Sequence, residues 1–306
     1  MSEFDLVVSK YLYFCEYQKN LSRKTIKAYK IDLTQFSSFI KPSGGILNKL
    51  NITEYISSLH TKYKPKSVKR KVASVKAFCS FLEDEEEIDY NPFTKIRINY
   101  KEPFHLPKVI SIDKIDKLLS AIYKELNHCD SNYKFGCTLR SIAVIELLFA
   151  TGMRVSELCS LPINNIDLTN KTIRIFGKGA RERILQIENA EVLKCLRQYY
   201  NFHQKQIKKC GCFFVNKFGN KLSEQSVRSI LNKFAMQANI GMHITPHMLR
   251  HSFATLLLEE DVDIRYIQQM LGHSSITTTQ IYTHITSAKQ KQIILTKHPR
   301  NKLAHK

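Results

Sequence analysis

The stretch ITPHMLRHSFATLLLEE, residues 244–260, decides how the second half of this chain is read. Thr245 is a good N-cap and Pro246 suits the first helical position, so a helix is expected to begin there. His247 and Arg250 then lie three apart on one face of its first turns. A helix start offers free backbone N–H groups and the positive end of the macrodipole, which makes it a seat for an anion before any side chain is counted. Arg250 adds a planar, two-pronged donor for phosphate oxygens, and His247 can relay a proton; local capping or pairing is the competing account. His251 points elsewhere, into packing.

Further out, FATGMRVSEL, 149–158, ends an apolar helix at Thr151-Gly152 and opens a new turn with Arg154 and Glu157 three apart. The carboxylate can hold the guanidinium in one orientation, an exposed ion pair being the plainer reading. KTIRIFGKGARERILQI, 171–187, alternates with period two: two Ile-rich strands joined by Gly177-Lys178-Gly179. Lys178 at such a tip is exposed and able to reach outward, or is simply a turn residue. DVDIRYIQQMLG, 261–272, reads as a helix that starts near Asp261 or Asp263 and stops at Gly272, leaving His273 just beyond its end. In HSSITTTQIYTHI, 273–285, a short helix then begins at Ser274 or Ser275 and carries Tyr282. This half is therefore mostly helix with a small sheet.

The first hundred residues are helical throughout. Phe4, Val7, Tyr11 and Phe14 form one apolar stripe, Ile26, Tyr29, Leu33, Phe36 and Ile40 a second, and Val68, Val72, Val75, Cys79 and Leu82 a third. The segment 47–59 fits a further helix. Two of these helices also carry basic residues away from the apolar side: Arg23, Lys27 and Lys30 on one, Lys66, Lys69, Arg70 and Lys76 on the other. Each is a solvated face on the bland reading, but together they suit phosphate contacts. The acidic run EDEEEID, 83–89, reads as a solvated helix end. Pro103 and Pro107 interrupt helix and the pattern restarts at Ser111, so the domains expected are 1–100, a linker at 101–110, and 111–306.

Composition narrows the function classes. With 306 residues, 43% of them hydrophobic and 10% aromatic, the chain suits two folded domains rather than disorder. Lys+Arg 47 against Asp+Glu 27 gives a formal charge of +20, a field that attracts polyanions. The apolar stretch from Ile142 to Val155 is shorter than the roughly 20 residues of a membrane span and contains Glu146, so it is expected to be a buried helix. The N-terminus MSEFDLVV lacks the pattern of a signal peptide, and a cytoplasmic protein without a membrane partner is expected. The eight cysteines show no paired ligand spacing; Cys210 and Cys212 form a lone CxC, and no metal is expected.

Taken in order, Arg154, Lys178, His247 with Arg250, His273 and Tyr282 resemble the active-site signature of the tyrosine site-specific recombinases, the integrase family. The neighbourhoods ATGMRVSEL, FGKGARER, TPHMLRHSFAT and LGHSSITTTQIYTH carry the resemblance, and LSRKTIKAYKIDLTQF looks like the start of the family's core-binding domain. The chain is most similar to the compact Xer-type recombinases and transposon-encoded resolvases. The absence of a further domain before Met1 makes a lambda-type integrase a poorer match.

The resemblance implies a mainly α fold with a small antiparallel sheet, a helical core-binding domain and a mixed α+β catalytic domain, clamping DNA. It implies cleavage and rejoining of double-stranded DNA at recombination sites without metal or other cofactor. Tyr282 would be the nucleophile, Arg154 and Arg250 would stabilise the phosphate, His247 would assist proton transfer, Lys178 would act as general acid and His273 would donate to the phosphate. A homo-tetramer on two duplexes is implied, with accessory proteins a further class of partner. The tail after Tyr282 contains Ile293, Ile294 and Leu295, awkward on a monomer, and by the resemblance is expected to dock on a neighbouring protomer. Dimer resolution, cointegrate resolution and integration or excision all remain open. The rival readings are a type IB topoisomerase that only relaxes DNA and a catalytically silent DNA-binding regulator.

Overall fold

The N-terminal stripes become four helices: α1 (Glu3–Tyr17), α2 (Arg23–Ile40), α3 (Lys49–Lys62) and α4 (Pro65–Asp84). These belong to a computed structural model that describes residues 3–97, 108–176, 182–272 and 287–303. Each helix start has a local cause. The Ser22 hydroxyl accepts the Thr25 N–H, Asn48 accepts the Asn51 N–H, and Pro65 stands in the first turn of α4. Leu33, Phe36 and Ile40 of α2 and Val68, Val72, Val75, Cys79 and Leu82 of α4 are buried together. Tyr11 closes this core, its ring 5.3 Å from that of Phe78 and 5.1 Å from that of Phe81.

Beneath the basic faces lies a carboxylate that the periodicity concealed. Asp32 is fully buried and receives the Lys71 ammonium at 3.1 Å, the Ser74 hydroxyl at 2.8 Å and the Arg70 guanidinium. Arg70 is exposed, like Arg23, Lys27, Lys30, Lys66, Lys69 and Lys76, but its tip also joins α2 and α4 through Asp32. The acidic run begins as α4 ends and is exposed, as its composition suggested.

The chain divides into two compact units, Met1–His105 and Leu106–Lys306. Residues 98–107, most of the expected linker, lie outside the described residues. Its last member, Ile110, is already core: the side chain is 0% exposed and its N–H donates to the Ser252 hydroxyl at 2.7 Å.

The second unit opens with α5 (Ile112–Asn127) and α6 (Asn132–Thr151). From Ser141 to Thr151 every residue of α6 is buried, because α5, a later helix α8 (Ala190–Cys210) and another, α10 (Pro246–Glu259), surround it. A short helix α7 (Val155–Cys159) follows, then β1 (Ile166–Asp167), β2 (Thr172–Phe176) and β3 (Glu182–Gln186) in an antiparallel sheet of order β1-β2-β3. The expected hairpin is the β2–β3 pair, with Ile173 opposite Leu185 and Phe176 opposite Glu182. The two-residue β1 was not legible. Helices α9 (Glu224–Gln237) and α11 (Ile264–Leu271) flank α10 in sequence, and α12 (Ser287–Lys297) comes last.

The C-terminal segment packs on its own chain. Ile293 and Ile294 are buried against Phe253, Leu257, Ile267 and Met270 of the same chain, so the single chain already covers the stretch that looked awkward; Leu295 alone of the three is exposed. Past α12 the segment is anchored by Arg300, which is 0% exposed. Its guanidinium donates from Nε and Nη2 to Glu146 at 2.8 Å each, from Nη2 to Glu191 at 2.6 Å, and from Nη1 to the Leu303 carbonyl at 2.6 Å. The Tyr123 hydroxyl adds a third donor to Glu146 at 2.8 Å. Among the described residues no helix is long and apolar enough to cross a membrane.

Candidate active site

Gly152 begins the site. It caps α6 with φ +60°, and a Cβ there would stand 2.6 Å from Phe253 and 2.8 Å from Leu271, so α10 and α11 close onto this point only because the position is bare. Two residues on, Arg154 is the N-cap of α7, and Glu157 returns a carboxylate oxygen to the Arg154 N–H at 2.7 Å. The same carboxylate takes Nη1 of Arg154 at 2.9 Å. The spacing of three thus acts twice: it caps the helix and aims the guanidinium.

Helix α10 starts where its sequence says, with the Thr245 hydroxyl accepting the Met248 N–H and Pro246 in the first turn. His247 is exposed in that turn, and Arg250, one turn further, is buried. Nη1 of Arg250 donates to the Gly152 carbonyl at 2.7 Å and Nη2 to the Leu271 carbonyl at 2.6 Å. Asp263, rather than Asp261, caps α11, and Gly272 ends it in the left-handed region at φ +65°. Nη2 of Arg154 donates to the Gly272 carbonyl at 3.1 Å. The two guanidiniums from distant segments therefore meet on consecutive carbonyls at the C-terminal end of α11.

A third arginine, missed in the sequence, completes the group. Arg183 on β3 donates from Nη1 and Nη2 to the two oxygens of Glu157 at 3.0 and 2.6 Å, and from Nε to the Met270 carbonyl at 3.0 Å. Within the quoted FGKGARER the strand's outward alternation was visible, but nothing local named a partner 26 residues back. Glu157 is thus shared between two arginines. Burial alone would raise its pKa; the bonds from Arg183, then the Arg154 N–H, the charge of Arg183 and the bond from the Arg154 side chain, reverse this and hold it below the ordinary carboxylate value. Arg250 moves the other way, lowered to about 10 by burial and by the positive charges of Arg154 and Arg183, against the pull of Glu157.

Three guanidiniums facing one carboxylate leave positive charge in a partly desolvated place, which an incoming phosphate would neutralise. Arg154, at 36% side-chain exposure against 11% for Arg183, is the member open to such a ligand. Chain order carries the site onward: His273 follows Gly272 directly. His273, Tyr282 and the hairpin-tip Lys178 lie outside the described residues. Cys210 and Cys212 are partly buried free thiols, and among the described residues no three His, Cys, Asp or Glu side chains gather as metal ligands.

Comparison with known proteins gives the family of the chain. The chain matches the phage integrase family over residues 112–289 and the phage integrase N-terminal SAM-like domain over residues 8–86. A tyrosine recombinase of Agathobacter rectalis is 50% identical over 301 residues, covering 98% of both chains. The tyrosine recombinase XerD of Listeria innocua is 35% identical, with 96% of this chain and 99% of the relative covered. Among solved structures, the XerH site-specific recombinase bound to its difH substrate in a pre-cleavage complex superposes with TM-score 0.69 at 24% identity, over 91% of this chain and 82% of that one. That last likeness concerns the fold; the sequence relatives and the family match reach further, and by them the chain belongs to the phage integrase family, the tyrosine site-specific recombinases that cleave and rejoin DNA.

Proposed function

We propose that Tyr282 is the nucleophile of a strand exchange that passes through a 3′-phosphotyrosyl ester, with Arg154 and Arg250 as the clamp on the scissile phosphate. The observation that carries this is the meeting of those two arginines on the Leu271 and Gly272 carbonyls, at the point where the chain runs into His273 and on to Tyr282. A phenol with an unperturbed pKa of about 10 is almost wholly protonated at neutral pH, so it needs a base and a positive site to become reactive.

In the step proposed, the Tyr282 oxygen bonds to phosphorus while the bond from phosphorus to the 5′-oxygen breaks. The phenolic proton passes towards His247, which is exposed on the first turn of α10. Lys178 gives its proton to the departing 5′-oxygen, and His273 donates a hydrogen bond to the phosphate. The guanidiniums stabilise the charge that grows on the non-bridging oxygens, a part that metal pairs play in other phosphoryl-transfer sites. Because a phenolate leaves more readily than an alkoxide, a 5′-hydroxyl from a second duplex can reverse the attack and exchange the strands.

DNA affinity is assigned to the +20 charge and, in the N-terminal unit, to the exposed Arg23, Lys27, Lys30, Lys66, Lys69 and Lys76. Arg70 is left out of that set because Asp32 holds it. A tetramer on two duplexes is the assembly proposed; one relative fold, a lambda integrase, is solved as a tetramer on a Holliday junction. The deciding experiment is a denaturing gel of the protein with a nicked suicide duplex. A covalent adduct with the native chain and none with Tyr282→Phe is expected; an adduct from Tyr282→Phe would remove the nucleophile assignment.

A further inference from the structure

We propose that Arg183 is a positioning residue of the strand-cleavage reaction, holding Arg154 in its phosphate-facing pose through Glu157 and joining β3 to the end of α11. The inference rests on the reading of Arg154 as a phosphate ligand.

Each nitrogen of the Arg183 guanidinium has a target. Nη1 and Nη2 take the two oxygens of Glu157 at 3.0 and 2.6 Å, and Nε takes the Met270 carbonyl at 3.0 Å. Those oxygens are the ones that hold Arg154, Oε1 through its Nη1 at 2.9 Å and Oε2 through its backbone N–H at 2.7 Å. A single carboxylate is therefore gripped from both sides. With Arg183 removed, Glu157 would keep only an i,i+3 partner, and such a pair on a helix start samples many rotamers.

The second attachment explains a glycine. Gly272 lies under the Arg183 side chain, where a Cβ would come 3.0 Å from Nη1 and 3.2 Å from Cδ. Its carbonyl is the acceptor for Nη2 of Arg154. Arg183 thus fixes both acceptors that orient Arg154: the carboxylate by a fork and the α11 carbonyl end by covering Gly272 and bonding Met270. At 11% side-chain exposure it sits behind Arg154 rather than beside it. A lysine in its place would keep the charge but could not bridge both oxygens of Glu157 while donating to Met270.

The test uses Arg183→Gln and Arg183→Lys in the full chain, measured for single-turnover cleavage of the suicide duplex at saturating protein, for DNA affinity and for thermal unfolding. Cleavage should slow on the order of 10²-fold in both variants, as for small misplacements of catalytic groups, with DNA affinity held within about twofold. Glu157→Gln should slow it to a similar degree, and Arg183→Gln combined with Glu157→Gln should be no slower than the slower single variant, because both act through one link. A native rate in Arg183→Gln, full rescue by Arg183→Lys, or a double loss equal to the product of the single losses would overturn the proposal. If Arg183→Gln unfolds below the assay temperature, Arg183→Lys and Glu157→Gln carry the test. The adduct assay with Tyr282→Phe stands apart from these rates, so failure of the nucleophile assignment and failure of the Arg183 proposal are distinguishable.

Discussion

Two arginine clusters in the C-terminal unit are built from the same parts in opposite proportions. Around Gly272, Arg154 and Arg183 share the single carboxylate of Glu157, and all three arginines, Arg250 included, lean on backbone carbonyls. Around α6, Arg300 alone receives two carboxylates, Glu146 and Glu191, and Glu146 is further satisfied by Tyr123. The second cluster is complete without a ligand and 0% exposed at both Arg300 and Glu146. The first has charge to spare and one member, Arg154, partly open to solvent. An excess of cations over carboxylates marks a place for an anion; a buried cation whose donors are all taken by the chain's own carboxylates and a carbonyl marks an anchor.

Breaking the anchor should give the largest effect on stability. Arg300→Ala leaves the Glu146 carboxylate buried with Tyr123 as its remaining partner, and a loss of about 3–5 kcal/mol is expected, read as a fall in thermal or urea midpoint. Adduct formation per folded molecule should be preserved at low temperature. Arg154→Ala is the converse: cleavage of the suicide duplex should drop about 10²–10³-fold while the unfolding midpoint moves little, since the side chain is partly exposed. Equal effects of the two variants on both readouts would erase the contrast between the clusters.

His298 sharpens the anchor's side of the comparison. Its ring is sealed between Phe149 and Phe253 at 5.5 Å, its Nδ1 accepts the Arg300 N–H, and Arg300 faces it. Burial lowers its pKa to about 4, outweighing the Ala150 and Phe149 carbonyls that favour the charge. The unfolded chain therefore takes up the extra proton between its ordinary value of 6.5 and about 4, so the stability tied to neutral His298 is whole above that window and lost across it. About 3 kcal/mol is the ceiling for this loss. In His298→Gln the fall in unfolding midpoint over that pH range should flatten; an unchanged slope would show that other groups set it.

Gly152→Ala should have a smaller effect, about 1–3 kcal/mol of destabilisation, from a strained φ and from pushing Phe253 and Leu271 outward. Because Arg250 bonds the Gly152 carbonyl, cleavage should fall further than the midpoint alone accounts for. An unaltered rate in this variant would separate the packing around Gly152 from the arginine site.

The helices, their caps and the β2–β3 hairpin were legible because each depends on neighbours in the chain. Apolar residues repeat every three or four positions, Thr245-Pro246 announces α10, and Gly272 ends α11. Part of the site was legible for the same reason: Arg154 and Glu157 are neighbours on one turn, and the resemblance supplied the order of the rest. The partnerships of Arg183 with Glu157, Arg70 with Asp32 and Arg300 with Glu146 were not, nor was the burial of Ile293 and Ile294 on their own chain. In those cases a charge or an apolar pair looks the same in sequence whether solvated, bound to DNA or sealed in a core.

By itself, then, the sequence determined where the backbone turns, caps and hides its apolar faces, since those choices are settled within a few residues by sterics and hydrogen bonding. Only the tertiary structure decided which cations are spent on the protein's own carboxylates and which keep charge in reserve, because desolvation and pairing across distances as long as the 154 residues between Glu146 and Arg300 exist only once the chain has closed.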